Sequence, residues 1–167
     1  MTSILGIDLG ERRMGVAIAD SDGGRAMPLA TLKRRANDNP ERRVDADARL
    51  LATLVEEHAA SEIVVGLPLE ASGAEGPQAS LTRAWADAIG TTLPVPITLR
   101  DERLTSHLAE QRVGPMKRGR SGGPPTRTQR EAYRARIDRE AAAIILQDEL
   151  DARHAAAGDR HSPGKSR

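Results

Sequence analysis

Three stretches place acidic side chains where they could do metal-assisted phosphate chemistry: Asp8 in ILGIDLGERRMGVAIAD, Asp101 and Glu102 in LRDERLTS, and Asp138 in RIDREAAAIILQDEL. None of them has a histidine or cysteine beside it, and the chain contains no cysteine at all. Carboxylates drawn together repel one another unless cations are bound. Hard oxygen donors of this kind favour magnesium or manganese, whose remaining positions go to water and substrate phosphate. Two such ions can activate an attacking water and stabilise the leaving oxygen of an in-line phosphodiester cleavage. Each acid also has a purely structural reading. Asp8 could cap its turn or pair with Arg12 or Arg13, Asp101 could cap the helix that follows it with Arg103 as a surface partner, and Asp138 could be an exposed acid paired with a neighbouring arginine.

The elements that must position these acids can be read from hydropathy periods. Residues 3–9 and 14–20 have strand pattern around the turn Gly10-Glu11-Arg12-Arg13, and 28–33 reads as a third, antiparallel strand. Pro40 opens a helix with Val44, Ala48, Leu51 and Val55 at helical spacing. EIVVGLP has the β-branched run of a buried parallel strand and leads into the Gly-rich loop EASGAEG. Pro77 starts a second helix reaching about Ile89, VPITLRDERL is a further strand ending near Arg100, and a short helix follows over Thr105 to Val113. A basic loop over about 114–127 separates it from a last helix, from about Thr128 to Arg153. The order β-β-β-α-β-α-β-α predicts an α/β domain over residues 1–153, a five-stranded mixed sheet with a hairpin at one side and helices on both faces, which is the outline of an RNase H-like fold. Residues 154–167 read as a disordered tail.

Alternation along a strand sharpens the setting of Asp8. Ile4, Gly6, Asp8 and Gly10 share one face, and in the next strand Gly15, Ala17 and Ala19 form a second row of small residues. The expectation is a bare patch of sheet around the carboxylate, open to a bulky ligand. An isolated buried carboxylate is costly unless it is paired or holds a metal. On the last helix Asp138 shares a stripe with Ala141, Ala142 and Ile145, so it stands on a packing face where alanines let the helix lie close to the sheet. Period-2 counting puts Glu102 on the face of Thr98 and Arg100. A strand ending near Arg100 would leave both Asp101 and Glu102 projecting at the sheet's edge.

Charge is unevenly placed. Between Arg112 and Arg139 there are nine basic residues against two acidic ones, a net of +7 in a chain whose total is +1. Such asymmetry suits a polyanionic partner held through its backbone, although a solvated basic insert has the same composition. The only aromatic residues are Trp85 and Tyr133, which argues against a platform of stacked bases. The opening residues go straight into strand pattern without a basic and apolar leader, and no apolar run approaches a membrane span, so a cytoplasmic protein is expected.

Taken in order, GIDLGERRMGVAIAD, IVVGLPLEASGAEGPQA, DERLTS and IDREAAAIILQDEL closely resemble the YqgF family of RNase H-like proteins, described as Holliday junction resolvases and as nucleases maturing the 5′ end of pre-16S ribosomal RNA. The resemblance covers most of residues 3–151. It implies a metal-dependent nuclease whose catalytic and metal-binding acids are Asp8, Glu102 and Asp138, with Asp101 as the alternative to Glu102, and with two Mg2+ or Mn2+ ions. Arg13, Gly66 and Pro68 match positions of the family's motifs, and with the basic residues Arg103, Lys117, Arg118, Arg120, Arg127 and Arg130, Arg13 forms the candidate nucleic-acid contact set. Partners implied are a ribosomal RNA precursor or branched DNA, a precursor ribosomal particle, and a second copy of the chain for symmetric cutting. The chain departs from the family at Ser72, where an aspartate is common, and in its longer, more basic 112–133 stretch. A GIDLG strand and hairpin also open actin-like ATPases and sugar kinases, but those need two such domains, about twice this length. A non-catalytic RNA-binding protein is the stronger rival reading, because fold alone does not prove chemistry.

Overall fold

A computed structural model describes residues 1–35, 39–103, 105–119 and 121–160. Three strands come first, β1 (Ser3–Leu9), β2 (Arg13–Asp20) and β3 (Met27–Lys33), followed by helix α1 (Pro40–Glu57) and strand β4 (Ala60–Pro68). Helix α2 (Pro77–Gly90), strand β5 (Ile97–Glu102), helix α3 (Thr105–Val113) and the long helix α4 (Arg127–Asp159) complete the order. The strands form one sheet in the order β3-β2-β1-β4-β5. The β1–β2 and β2–β3 pairs are antiparallel, whereas β1–β4 and β4–β5 are parallel. This is the mixed five-stranded sheet expected from the sequence, and β1 lies at its centre.

Alternation fixes what each face covers. Leu5 and Ile7 of β1 point with Met14, Val16, Ile63 and Val65 into a core closed by α1 and α2 through Leu51, Val55, Trp85 and Ile89. Each such side chain removed from water contributes about 1.5–3 kcal/mol. Ile4, Ala17, Ala19 and Val64 point the other way and pack against Ala142, Ala143, Ile145 and Leu146 of α4. Behind α1, the buried Asp47 carboxylate accepts from Arg34 Nε and Nη2 at 3.0 and 2.7 Å and from Trp85 Nε1 at 3.0 Å. One polar knot thereby ties the end of β3 to both helices of that layer.

Three expectations need correction. The bare patch around Asp8 is filled by α4: a Cβ at Gly6 would stand 2.7 Å from the Leu146 Cβ, and one at Gly15 would run into the backbone of Asp138. The small residues clear room for a helix, which leaves the same mark on the sequence as room for a ligand. Strand β5 continues through Glu102 rather than ending near Arg100, because Asp101 and Glu102 still pair with Leu67 and Pro68 of β4. Helix α4 runs to Asp159, so residues 154–159, expected in a disordered tail, are helical. Ala155, Ala156 and Ala157 cost a helix nothing, and Arg153 clamps it to the sheet through Glu62 at 2.6 Å while holding Glu149 on its own helix at 2.9 Å. The rest of the expected tail, 161–167, lies outside the described residues. At its start α4 has a capping box, in which the Thr126 hydroxyl accepts from the Gln129 backbone N–H at 3.2 Å and the Gln129 side chain accepts from the Thr126 N–H at 2.8 Å.

Candidate active site

Asp8 occupies the last turn of alternation in β1, opposite Gly15 of β2 and one residue beyond the Ile7–Val65 pairing with β4. The absence of a side chain at Gly15 brings the α4 backbone down at Asp138. Gly66 of β4 has the matching role on the other flank, where a Cβ would collide with the Glu102 carboxylate and with Ile145. Two glycines, one on each strand beside β1, therefore admit the second and third acids to the surroundings of the first.

The electrostatics record this convergence. The Asp8 carboxyl is pushed up to about 8, mainly by burial and then by the negative charges of Glu102 and Asp138. Burial also raises Glu102, while a hydrogen bond with the buried Thr105 at the start of α3 pulls the other way. Asp138 is engaged differently, since its Oδ2 accepts from Arg13 Nε at 2.6 Å. Asp138 thus has an arginine partner while standing near Asp8, but it is half-buried and the arginine comes from β2 rather than from its own neighbourhood in the chain. Asp8 itself is not the partner of Arg13.

The remaining candidates divide by location. Asp101 is exposed and acts on Arg83 of α2, on the opposite side of β5 from Glu102. Glu102 shares its face with Arg100, which reaches Glu149 of α4 at 3.6 Å. Arg103 is exposed beside the loop that follows β4, its guanidinium lying over Gly73, whose φ of +87° suits glycine. Lys117 and Arg118 are exposed on the loop before α4, and Arg120 lies outside the described residues. Arg127 pairs with Glu131 at 3.0 Å and Arg130 donates to the Pro125 carbonyl at 3.0 Å. Arg130, Arg134 and Asp138 follow one another at four-residue intervals on α4, so a basic row descends the helix to the third acid. Among the described basic candidates, only Arg13 touches the acid cluster itself.

Sequence reading missed Thr105 as a partner of Glu102 and the steric duty of Gly66, which is visible only once β4 and α4 are stacked. The donor set is entirely oxygen and matches a hard divalent cation, and Asp8 would gain a full charge on exchanging its proton for one. Among the described residues, no group of three or more His, Cys, Asp or Glu side chains is gathered as a ready metal-holding cluster. Asp8 and Glu102 are the acids left without a cationic partner in the cluster, and Asp138 keeps one oxygen beyond its ion pair with Arg13.

The family described as "RuvX: Holliday junction resolvase" matches residues 2–152. The chain belongs to the RuvX family. RuvX and YqgF denote the same family, so the resemblance of the four sequence motifs holds. A RuvX-family relative from Chloroflexus aurantiacus, described as "Putative pre-16S rRNA nuclease", is 42% identical over 163 residues, 98% of this chain and 92% of that protein. A protein of the same description from Anaeromyxobacter sp. (strain Fw109-5) is 39% identical over 151 residues, 90% of this chain and 98% of that protein. Among solved structures, T. thermophilus RuvC in complex with Holliday junction substrate superposes with a TM-score of 0.51 at 16% identity, over 92% of this chain and 96% of that one. At this identity the likeness shows a shared RuvC-like RNase H fold. No helix of the described residues is long and apolar enough to cross a membrane.

Proposed function

We propose that this RuvX-family protein is a metal-dependent nuclease that hydrolyses phosphodiester bonds of a 16S ribosomal RNA precursor. The observation that carries the reading is the meeting of Asp8 with Glu102 and Asp138, acids from a central strand, an edge strand and a helix, with the Asp8 carboxyl pushed up to about 8. Perturbed acids grouped at strand ends are a recurrent mark of a functional site. The substrate is supported by the description of full-length relatives at about 40% identity.

In this reading Asp8, Glu102 and Asp138 would hold Mg2+ or Mn2+, with Arg13 beside them to meet substrate phosphate. A cation held there would stabilise the negative charge developing on the leaving oxygen and lower the pKa of a water bound to it. Asp101, on the other side of β5, takes no part. Arg13 and the row Arg130–Arg134 on α4 orient the strand through its phosphates, with Arg103, Lys117, Arg118 and Arg127 as outlying contacts. The family's description favours branched DNA as the second candidate substrate.

The test is cleavage of a labelled precursor RNA segment and of a four-way DNA junction, by wild type and Asp8→Asn, with Mg2+, with Mn2+ and with chelator. Metal-dependent cutting of the RNA, lost in the variant while binding is kept, is the expected result. Cutting of the junction alone transfers the proposal to DNA. Binding without cleavage of either substrate refutes the nuclease reading.

A further inference from the structure

The sheet face opposite the acids carries a cavity of about 620 Å³ at the end of β1, within the size range of small-ligand sites. Among the described residues its apolar wall is formed by Leu9, Val44, Leu81 and Trp85, and its polar lining includes Arg43 and Thr82. We propose that this cavity receives the base of an unpaired nucleotide next to the phosphate being cut, an inference that rests on the nuclease reading above.

Two polar groups point to a ligand. Thr82 is fully buried on α2, yet among the described residues its hydroxyl has no hydrogen-bond partner, not even the carbonyl one turn back that helical threonines commonly use. The Nε of Arg43 on α1 is likewise buried and unpartnered, although the same guanidinium donates through Nη2 to the Glu11 carbonyl. Buried polar atoms are nearly always satisfied, and both orphans belong to residues that line one hollow, so a partner that enters it and parts the side chains covering them satisfies both. That partner must offer acceptors to both groups and an apolar body to Leu9, Val44 and Leu81. A heterocyclic base has ring nitrogens and carbonyls on its edge and an apolar face.

A phosphate group fits less well. Arg34, the other arginine lining the cavity, is already held by Asp47 at 2.7 and 3.0 Å and by the Gly10 carbonyl at 2.6 Å. Glu11 also lines the cavity and repels an anion.

Position links the cavity to the acids. Leu9 and Gly10, the residues directly after Asp8, form part of its lining. Asp8 faces α4 and Leu9 faces the other way, so the two sites flank one strand end. The turn there is drawn tight by the Gly10 N–H to Arg13 carbonyl bond of 2.9 Å, and a side chain at Gly10 would strike that carbonyl. A strand with its phosphate at Asp8 thus crosses a low turn and sets a neighbouring base over the hollow.

Trp85 is the only tryptophan of the chain and reports on the cavity wall directly. Its fluorescence is followed in chelator while the full-length protein is titrated with a single-stranded RNA hexamer, with an abasic oligomer of equal length and charge, and with inorganic phosphate. The expected result is a saturable change with the hexamer and at least tenfold weaker responses to the other two. Thr82→Val is expected to melt at the same temperature or higher, because it deletes an unsatisfied hydroxyl, and yet to bind the hexamer at least fivefold more weakly. Arg43→Gln should weaken binding in the same way. Equal responses to hexamer and abasic oligomer, or undiminished hexamer affinity in both variants, overturn the proposal. Base-dependent binding without cleavage of any substrate overturns the nuclease reading and leaves a nucleotide pocket, whereas cleavage with a base-blind Trp85 signal overturns the pocket alone.

Discussion

Arg13 and Asp138, 125 positions apart in the chain, are joined by an ion pair of 2.6 Å at the edge of the acid cluster. The pair gives the third acid a counter-charge before any cation arrives. Removing the guanidinium leaves Asp138 without its counter-charge beside Asp8 and Glu102, so Arg13→Gln should bind Mn2+ about three- to tenfold more tightly in the absence of nucleic acid, as expected for one added charge at short range in a partly hydrated site. Titration calorimetry measures this. A lower affinity in the variant would mean that Arg13 serves chiefly to orient Asp138.

Asp8 makes stability depend on pH in an unusual direction for a carboxylate. Its carboxyl is raised from 3.8 to about 8, so between those values the folded chain holds a proton that the unfolded chain has released. The contribution of Asp8 to stability is then full below about pH 4, falls as pH rises toward 8 and is lost above it. Glu102, also raised, adds to the same trend. Thermal melts in chelator across this range should show the decline, and Asp8→Asn should flatten it. A wild-type profile as flat as the variant's refutes the assignment.

Gly15 and Gly66 test the steric argument. Alanine at either position drives a methyl group into the Asp138 backbone or against Glu102 and Ile145, and should cost about 1–3 kcal/mol in urea unfolding together with most of the cleavage activity. Among the described residues Gly158→Ala meets nothing within 4 Å near the end of α4, and it should be neutral or stabilising by a few tenths of a kcal/mol. Equal tolerance at all three positions would show that α4 can lift off the sheet without loss.

Asp47 is fully buried and accepts from both Arg34 and Trp85. Asp47→Ala strands a nearly buried guanidinium and should destabilise the fold by about 3–5 kcal/mol by chemical denaturation. A much smaller loss would mean that water reaches Arg34 once its partner is gone.

Much of this architecture could be read before any coordinates. Alternation in β1 and β2 placed Asp8 and Gly15 on one face, and the alanines of α4 marked a helix that lies close to a sheet. The face of Glu102 was legible by counting, although the end of β5 was not, because pairing with Leu67 and Pro68 extends the strand past the point where its hydropathy fades. The identity of Asp138's partner was out of reach. It depends on the register of α4 over β2, which no local pattern encodes. The same holds for the orphaned Thr82 hydroxyl, since a helical threonine beside apolar neighbours looks like any other packed residue.

Helix α4 extends through 33 residues, from the basic loop past the third acid and the Arg153 clamp to Asp159. Its rise of about 1.5 Å per residue sets Arg127 some 16 Å from Asp138, so the helix behaves as a graduated rod on which the basic row and the third acid occupy fixed marks. Lengthening the loop before Thr126 leaves those marks in place. Inserting one residue between Arg130 and Asp138 turns the basic row about 100° away from the acid, which on the proposed function would decouple where a strand is held from where it is cut.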